Sequence, residues 1–173
     1  MRQQMRRTSA LAILSMVGGM VLTAGSIINA GSVSSSLSTS SSVSNNCTIS
    51  TAAVAFGSYD PVVANASANL DGTGSLTVAC TKGASTTIGL DLGGNATGST
   101  RRLADGSGNH LTYEFYQDSG RSTVWSDSGG GLFTPAVAPS KAARVFTVYG
   151  RVPSNQDVPA GSYADTVTAT VNF

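Results

Sequence analysis

From Tyr163 to the last residue the chain alternates in steps of two. Tyr163, Val167, Ala169, Val171 and Phe173 share one parity, while Ala164, Thr166, Thr168, Thr170 and Asn172 share the other. Successive side chains of a strand point to opposite faces, so this pattern predicts an antiparallel strand with one buried and one wet face. The same period recurs upstream. Leu76, Val78 and Cys80 alternate over 75–80, Ile88, Leu90 and Leu92 over 87–92, and Leu111, Tyr113 and Phe115 over 111–116. Phe146 and Val148 share a face over 144–152, and a further strand is expected over 53–59, closed by Pro61. Asp71-Gly72-Thr73-Gly74 reads as a turn, and no helix follows it as a phosphate cradle would need. Apolar residues do not recur at helical spacing over several turns anywhere after the first 30 residues. Six strands joined by Gly-, Asn- and Pro-rich turns predict an all-β chain folded as a sandwich.

Six strands are one short of an immunoglobulin-like sandwich, and a sandwich missing an edge strand leaves apolar core open to water. The N-terminal part of the chain supplies a candidate to fill such a gap. Residues 1–30 read as a signal peptide: Arg2, Arg6 and Arg7 precede an uncharged apolar run over 10–24, and small residues follow. That run is shorter than the roughly 20 residues a membrane-spanning helix needs. Cleavage is expected after Ala30, with Ala24 or Ser26 as alternatives. Residues 31–46 are built almost entirely of Ser, and Val33, Leu37, Thr39 and Val43 fall on one parity within them. A flexible Ser linker and an orphan strand with one apolar face both fit this composition. The folded domain is expected over 47–173.

An export leader also decides how the two cysteines, Cys47 and Cys80, are read. Outside the cytoplasm an isolated pair is most simply one disulfide. Without its leader the chain keeps seven basic residues against nine acidic ones. The remaining Arg and Lys are scattered, so no electrostatic footprint for nucleic acid or an anionic membrane is expected.

Chemistry-bearing residues are sparse. His110 is the single histidine, which leaves no His-based metal cage. The serines lack the Gly-x-Ser-x-Gly setting of a nucleophile elbow, and the aspartates sit mostly beside Gly, Asn or Ser, where Asp serves turns. Trp125 with Tyr116 and Phe133 is a candidate sugar-stacking platform. No catalytic residue, cofactor, metal or small-molecule substrate is expected.

Several short motifs, in order, resemble one family. They are Cys47-Thr48-Ile49, Phe56-Gly57-Ser58-Tyr59, Val78-Ala79-Cys80-Thr81-Lys82-Gly83, Leu111-Thr112-Tyr113 and Val148-Tyr149-Gly150-Arg151-Val152-Pro153 with Gln156. The run from Pro159 through Val167, and the ending Val171-Asn172-Phe173, complete the set. Together they resemble the spore coat protein U domain, as in subunits of archaic (Csu-type) chaperone–usher pili. The resemblance implies an incomplete immunoglobulin-like β-sandwich completed by donor-strand exchange, in which an N-terminal extension fills the groove of the next subunit. Its implied partners are identical or related subunits forming a homopolymer, a periplasmic chaperone and an outer-membrane usher, and its implied role is surface attachment and biofilm formation. On this chain the implied donor anchors are Val33, Leu37 and Val43, and the implied groove edge is Val167, Val171 and Phe173. The chain departs from the pattern at Ser35, Thr39 and Ser41, where such extensions prefer bulkier apolar residues. The alternative role is a secreted spore-coat or cell-envelope protein, and after it a monomeric glycan-binding module.

Overall fold

The computed structural model describes residues 30–173. The expected signal peptide, apart from Ala30, lies outside the described residues. Residues 30–40 belong to a unit of their own, carry no regular secondary structure and are exposed throughout.

Residues 41–173 hold seven strands: β1 Cys47–Ala52, β2 Leu70–Cys80, β3 Thr87–Leu90, β4 Arg101–Ala104, β5 His110–Tyr116, β6 Arg144–Val152 and β7 Ala169–Asn172. They form an all-β sandwich. One sheet has the order β1-β2-β6-β5-β4 and the other pairs β3 with β7, all antiparallel. Alternate residues of β2, β5 and β6 turn inward as their period requires, and Val78, Leu111, Tyr113, Val148 and Val152 are buried with Ile88 of β3. Cys47 and Cys80 are bonded and lie opposite each other, so the disulfide closes the outer end of the β1–β2 ladder.

Several expectations need correcting. Residues 53–59 form no ladder, although Val54 and Phe56 do pack against the core. Asp71 to Gly74 is not a turn but the first half of a long β2, paired with Val148 to Arg151 of β6. The glycines allow this. A Cβ on Gly74 would stand 2.7 Å from the Ala52 carbonyl oxygen and from Val54 Cγ2, and one on Gly150 would stand 2.7 Å from the Phe56 ring. The inner face of the β2–β6 pair is thus bare where residues 52–56 lie on it, and Phe56 and Val54 supply the missing core. The terminal strand is shorter than its pattern, because residues 163–168 contact β4 and the 91–94 loop without joining a continuous ladder.

Two strands had no apolar alternation to announce them. β1 is an edge strand, exposed after Cys47, and is held by the disulfide and by its ladder to β2. β4 begins with Arg101, which is fully buried. Its guanidinium donates to the carbonyls of Leu90, Asp91 and Trp125 and pairs with Glu114. A buried cation is tolerated only when so fully partnered. Trp125 is core as well: its indole N–H donates to the Ile88 carbonyl at 2.9 Å and its ring packs on Phe133. It presents no face to a sugar.

Candidate functional site

Between residues 53–59 and residues 158–169 the sandwich is open. Two adjoining clefts run along this opening, one of about 570 Å³ and one of about 260 Å³. The larger is walled by Phe56, Tyr59, Leu70, Val152, Val158 and Tyr163. The smaller is floored by Leu76, Leu90, Tyr113 and Val148, with Val54 on one rim and Val167 and Ala169 on the other. Val54, Phe56, Leu103 and Asp165 line both, so the clefts are successive stretches of one groove.

The rims carry backbone as well as side chains. Ala104 and Ala164 exchange both of their hydrogen bonds, at 2.9 and 3.0 Å, and the amides of Gly94 and Asp91 donate to the carbonyls of Thr166 and Thr168. Backbone groups of successive strand residues point to opposite sides. Those of Asp165 and Val167 therefore face the groove. Residues 53–59, across from them, have no ladder partner either. Two unpaired edges flank an apolar trough, which is the geometry that accepts one more strand.

Asp165 is the charged side chain of this trough, whose lining also includes Thr51, Ser58, Ser75 and Thr166. Its carboxylate accepts from the Tyr113 hydroxyl at 2.7 Å, and from the backbone and side-chain N–H groups of Asn95 at 3.1 and 3.0 Å. Burial raises the Tyr113 hydroxyl far above its ordinary pKa, and the hydrogen bond to Asp165 raises it further, so it stays a donor. Gly93, at φ 83°, leaves room for the carboxylate, and any Cβ there would collide with it.

The residues singled out from the sequence are distributed unevenly around this groove. Val167 lines the smaller cleft. Val171 pairs with Ile88 of β3 and packs against the core beyond the groove. Phe173 is 55% exposed and lines neither cleft, because β7 ends at Asn172 and leaves it without a ladder partner. Val33, Leu37 and Val43 are fully or almost fully exposed. Asp165 and Phe56 were not singled out as groove residues. Asp165 had one visible signal, as the lone charge on the apolar parity of the terminal strand.

A family model described as the Spore Coat Protein U domain matches residues 33–170. The chain belongs to this family. A Spore Coat Protein U relative, "Protein U" of Myxococcus xanthus, is 43% identical over 128 residues, covering 68% of this chain and 70% of the relative. Among solved structures, the domain is similar to a chain in the crystal structure of the chaperone–tip adhesion subunit pre-assembly complex, CsuC–CsuE, from archaic chaperone–usher Csu pili of Acinetobacter baumannii. That match has a TM-score of 0.57 at 20% identity. It covers 76% of this chain and 40% of the other, and what it shows is a shared fold.

Proposed function

We propose that this Spore Coat Protein U domain is a structural subunit of an archaic chaperone–usher pilus. It polymerises by accepting, along its open groove, residues 31–43 of a neighbouring copy. The observation that carries this reading is the groove itself, a largely apolar trough flanked by two segments without ladder partners, on a chain whose described residues 30–43 are exposed and carry no regular secondary structure. Three aliphatic anchors, Val33, Leu37 and Val43, contribute roughly 5–9 kcal/mol gross on burial. Before assembly a periplasmic chaperone covers the groove, and an outer-membrane usher exchanges that cover for the next subunit. The chain is exported, and the fibre serves surface attachment and biofilm formation without catalysis.

The test is whether the exported protein runs as a ladder of multimers in mild detergent and collapses to monomer on boiling. Leu37→Asp, on the apolar parity, should abolish the ladder while leaving export intact. Ser36→Asp, on the opposite parity, should be tolerated. Equal behaviour of the two variants makes the segment a linker and overturns the donor-strand reading. The second reading, a secreted coat or cell-envelope protein that packs without an usher, is favoured by the 43% identity to Protein U. Ladders that form without chaperone and usher support it.

A further inference from the structure

The candidate donor segment is too polar for an apolar trough. Of its six residues on the inward parity, Ser35, Thr39 and Ser41 carry hydroxyls. A hydroxyl buried without a partner costs about 1–3 kcal/mol, so a purely apolar groove selects against such a strand. This groove, however, is not purely apolar, because Asp165 sits where the two clefts join.

We infer that Asp165 is a specificity-determining residue of the groove, and that it accepts a hydrogen bond from the hydroxyl of Thr39 of a second copy of this chain. The inference rests on the donor-strand reading and goes beyond it by naming the polar contact and the register. A carboxylate offers about four acceptor positions. Tyr113 and Asn95 fill three of them, which leaves one for a hydroxyl arriving along the groove.

The register follows from lengths and faces. The edge that lines the clefts runs from Val158 to Ala169 and continues into β7. Residues 33–43 are long enough to lie over its 161–171 stretch, and antiparallel pairing is the more stable arrangement per residue. Laid antiparallel over 161–171, Thr39 falls opposite Asp165, Leu37 opposite Val167 and Val43 opposite Gly161. Directly opposed residues of a strand pair share a face, so Leu37 enters the smaller cleft beside Val167, and Thr39 meets the carboxylate. A parallel strand of the same span sets Leu37 against the charge, as does an antiparallel slip of two residues one way. A slip of two the other way brings Ser41 to Asp165 and carries Val33 to Phe173, past the end of β7.

The donor comes from another molecule because of how the chain leaves this one. The Thr81 amide donates to the Asn46 carbonyl at 2.9 Å, and the Thr81 hydroxyl binds both the Asn46 amide and the Ser44 carbonyl. These bonds hold Ser44 and Asn46 beside Thr81, at the Cys80 end of β2. The larger cleft lies at the opposite end, beside Leu70 and Val152.

The experiment follows the rate at which multimer ladders of the full exported chain fall to monomer at a fixed denaturant concentration. Thr39→Val keeps the shape and deletes the hydroxyl, and it should speed dissociation about 10-fold, the scale of one hydrogen bond to a charged group. Thr39→Ser, which retains the hydroxyl, should dissociate within about 2-fold of the parent on the same scale. Ser41→Val should not speed dissociation. In an Asp165→Ala background Thr39→Val should add little, because the acceptor is gone. Should that background fail to fold, the three donor variants on the unaltered groove decide alone. Thr39→Val ladders as durable as the parent's overturn the inference, and Ser41→Val ladders as labile as Thr39→Val ladders overturn the register. If there is no ladder, or if Leu37→Asp leaves it intact, the donor-strand reading has failed instead.

Discussion

Gly150 offers a direct measure of how residues 53–59 are held. A Cβ on it would lie 2.7 Å from two carbons of the Phe56 ring and 2.9 Å from Val54 Cγ1. No methyl fits there unless the 53–59 segment lifts off the sheet, and overpacking of this kind costs about 1–3 kcal/mol. Phe56→Ala removes a ring that is only partly buried, so its cost belongs at the low end, about 2–3 kcal/mol, of what large-to-small core changes produce. If the two residues act through their contact, the double variant should cost clearly less than the sum of the two, because the new methyl enters the space the ring has left and only its close approach to Val54 Cγ1 remains. The coupling energy then equals the Phe56 share of the cost of Gly150→Ala. Trp125, 1% exposed, provides the signal, since its fluorescence changes when the core opens. With a urea dependence of about 2 kcal/mol per molar, the midpoint should fall by about 0.5–1.5 M in Gly150→Ala and by about 1–1.5 M in Phe56→Ala. In the double variant it should fall by less than the sum of the two. Costs that simply add would show that the segment does not rest on the glycines, and the account of the inner face would fail.

Three further outcomes are expected. Cys47→Ser should lower periplasmic accumulation, since losing the native disulfide of a small exported domain costs about 2–5 kcal/mol; mass spectrometry of the parent should show a two-proton gain on reduction. Deleting Val171 to Phe173 removes half of the β3–β7 ladder, so it should abolish stable accumulation even with a chaperone present, as periplasmic immunoblots can measure. Hydrogen bonds from Arg151 hold the Asp71 carboxyl below its ordinary value; a carboxyl depressed in the folded state contributes stability above its unfolded pKa and loses it as pH falls through the folded value. Asp71→Asn should therefore be the less stable form at neutral pH, and the gap should narrow below about pH 4 in acid-unfolding curves.

The central strands were legible because their alternation is driven by burial on one face: β2 from Ser75, β5 and β6 stand where their periods put them. What escaped was whatever burial does not pattern. β1 is exposed after Cys47 and is held by a ladder and a covalent bond, neither of which leaves a hydrophobic trace. β4 opens on a buried arginine, whose three carbonyl acceptors and Glu114 come together only in the fold. The glycines of β2 read as a turn because composition cannot distinguish a glycine that bends the chain from one that makes room for Phe56. The groove was not legible from the strand count, since six strands were expected and seven form; only the family resemblance pointed to an open sandwich. Its rims, and the carboxylate at its middle, depend on which backbone groups β4 and the 91–94 loop leave unpaired.

The position of the disulfide has a mechanical consequence. Cys47 is the first residue of β1 and Cys80 the last of β2, so the bond spans the ladder where the extension enters the domain. A pull on residues before Cys47 meets the Thr81 clamp and then a covalent link, before it reaches any backbone hydrogen bond between the two strands. Peeling, which opens a ladder one rung at a time, cannot start from that end. The load passes into β2, the strand with partners on both sides, and from there into β6. Whatever tugs on the extension therefore loads the middle of the five-stranded sheet, and the edge strand is spared.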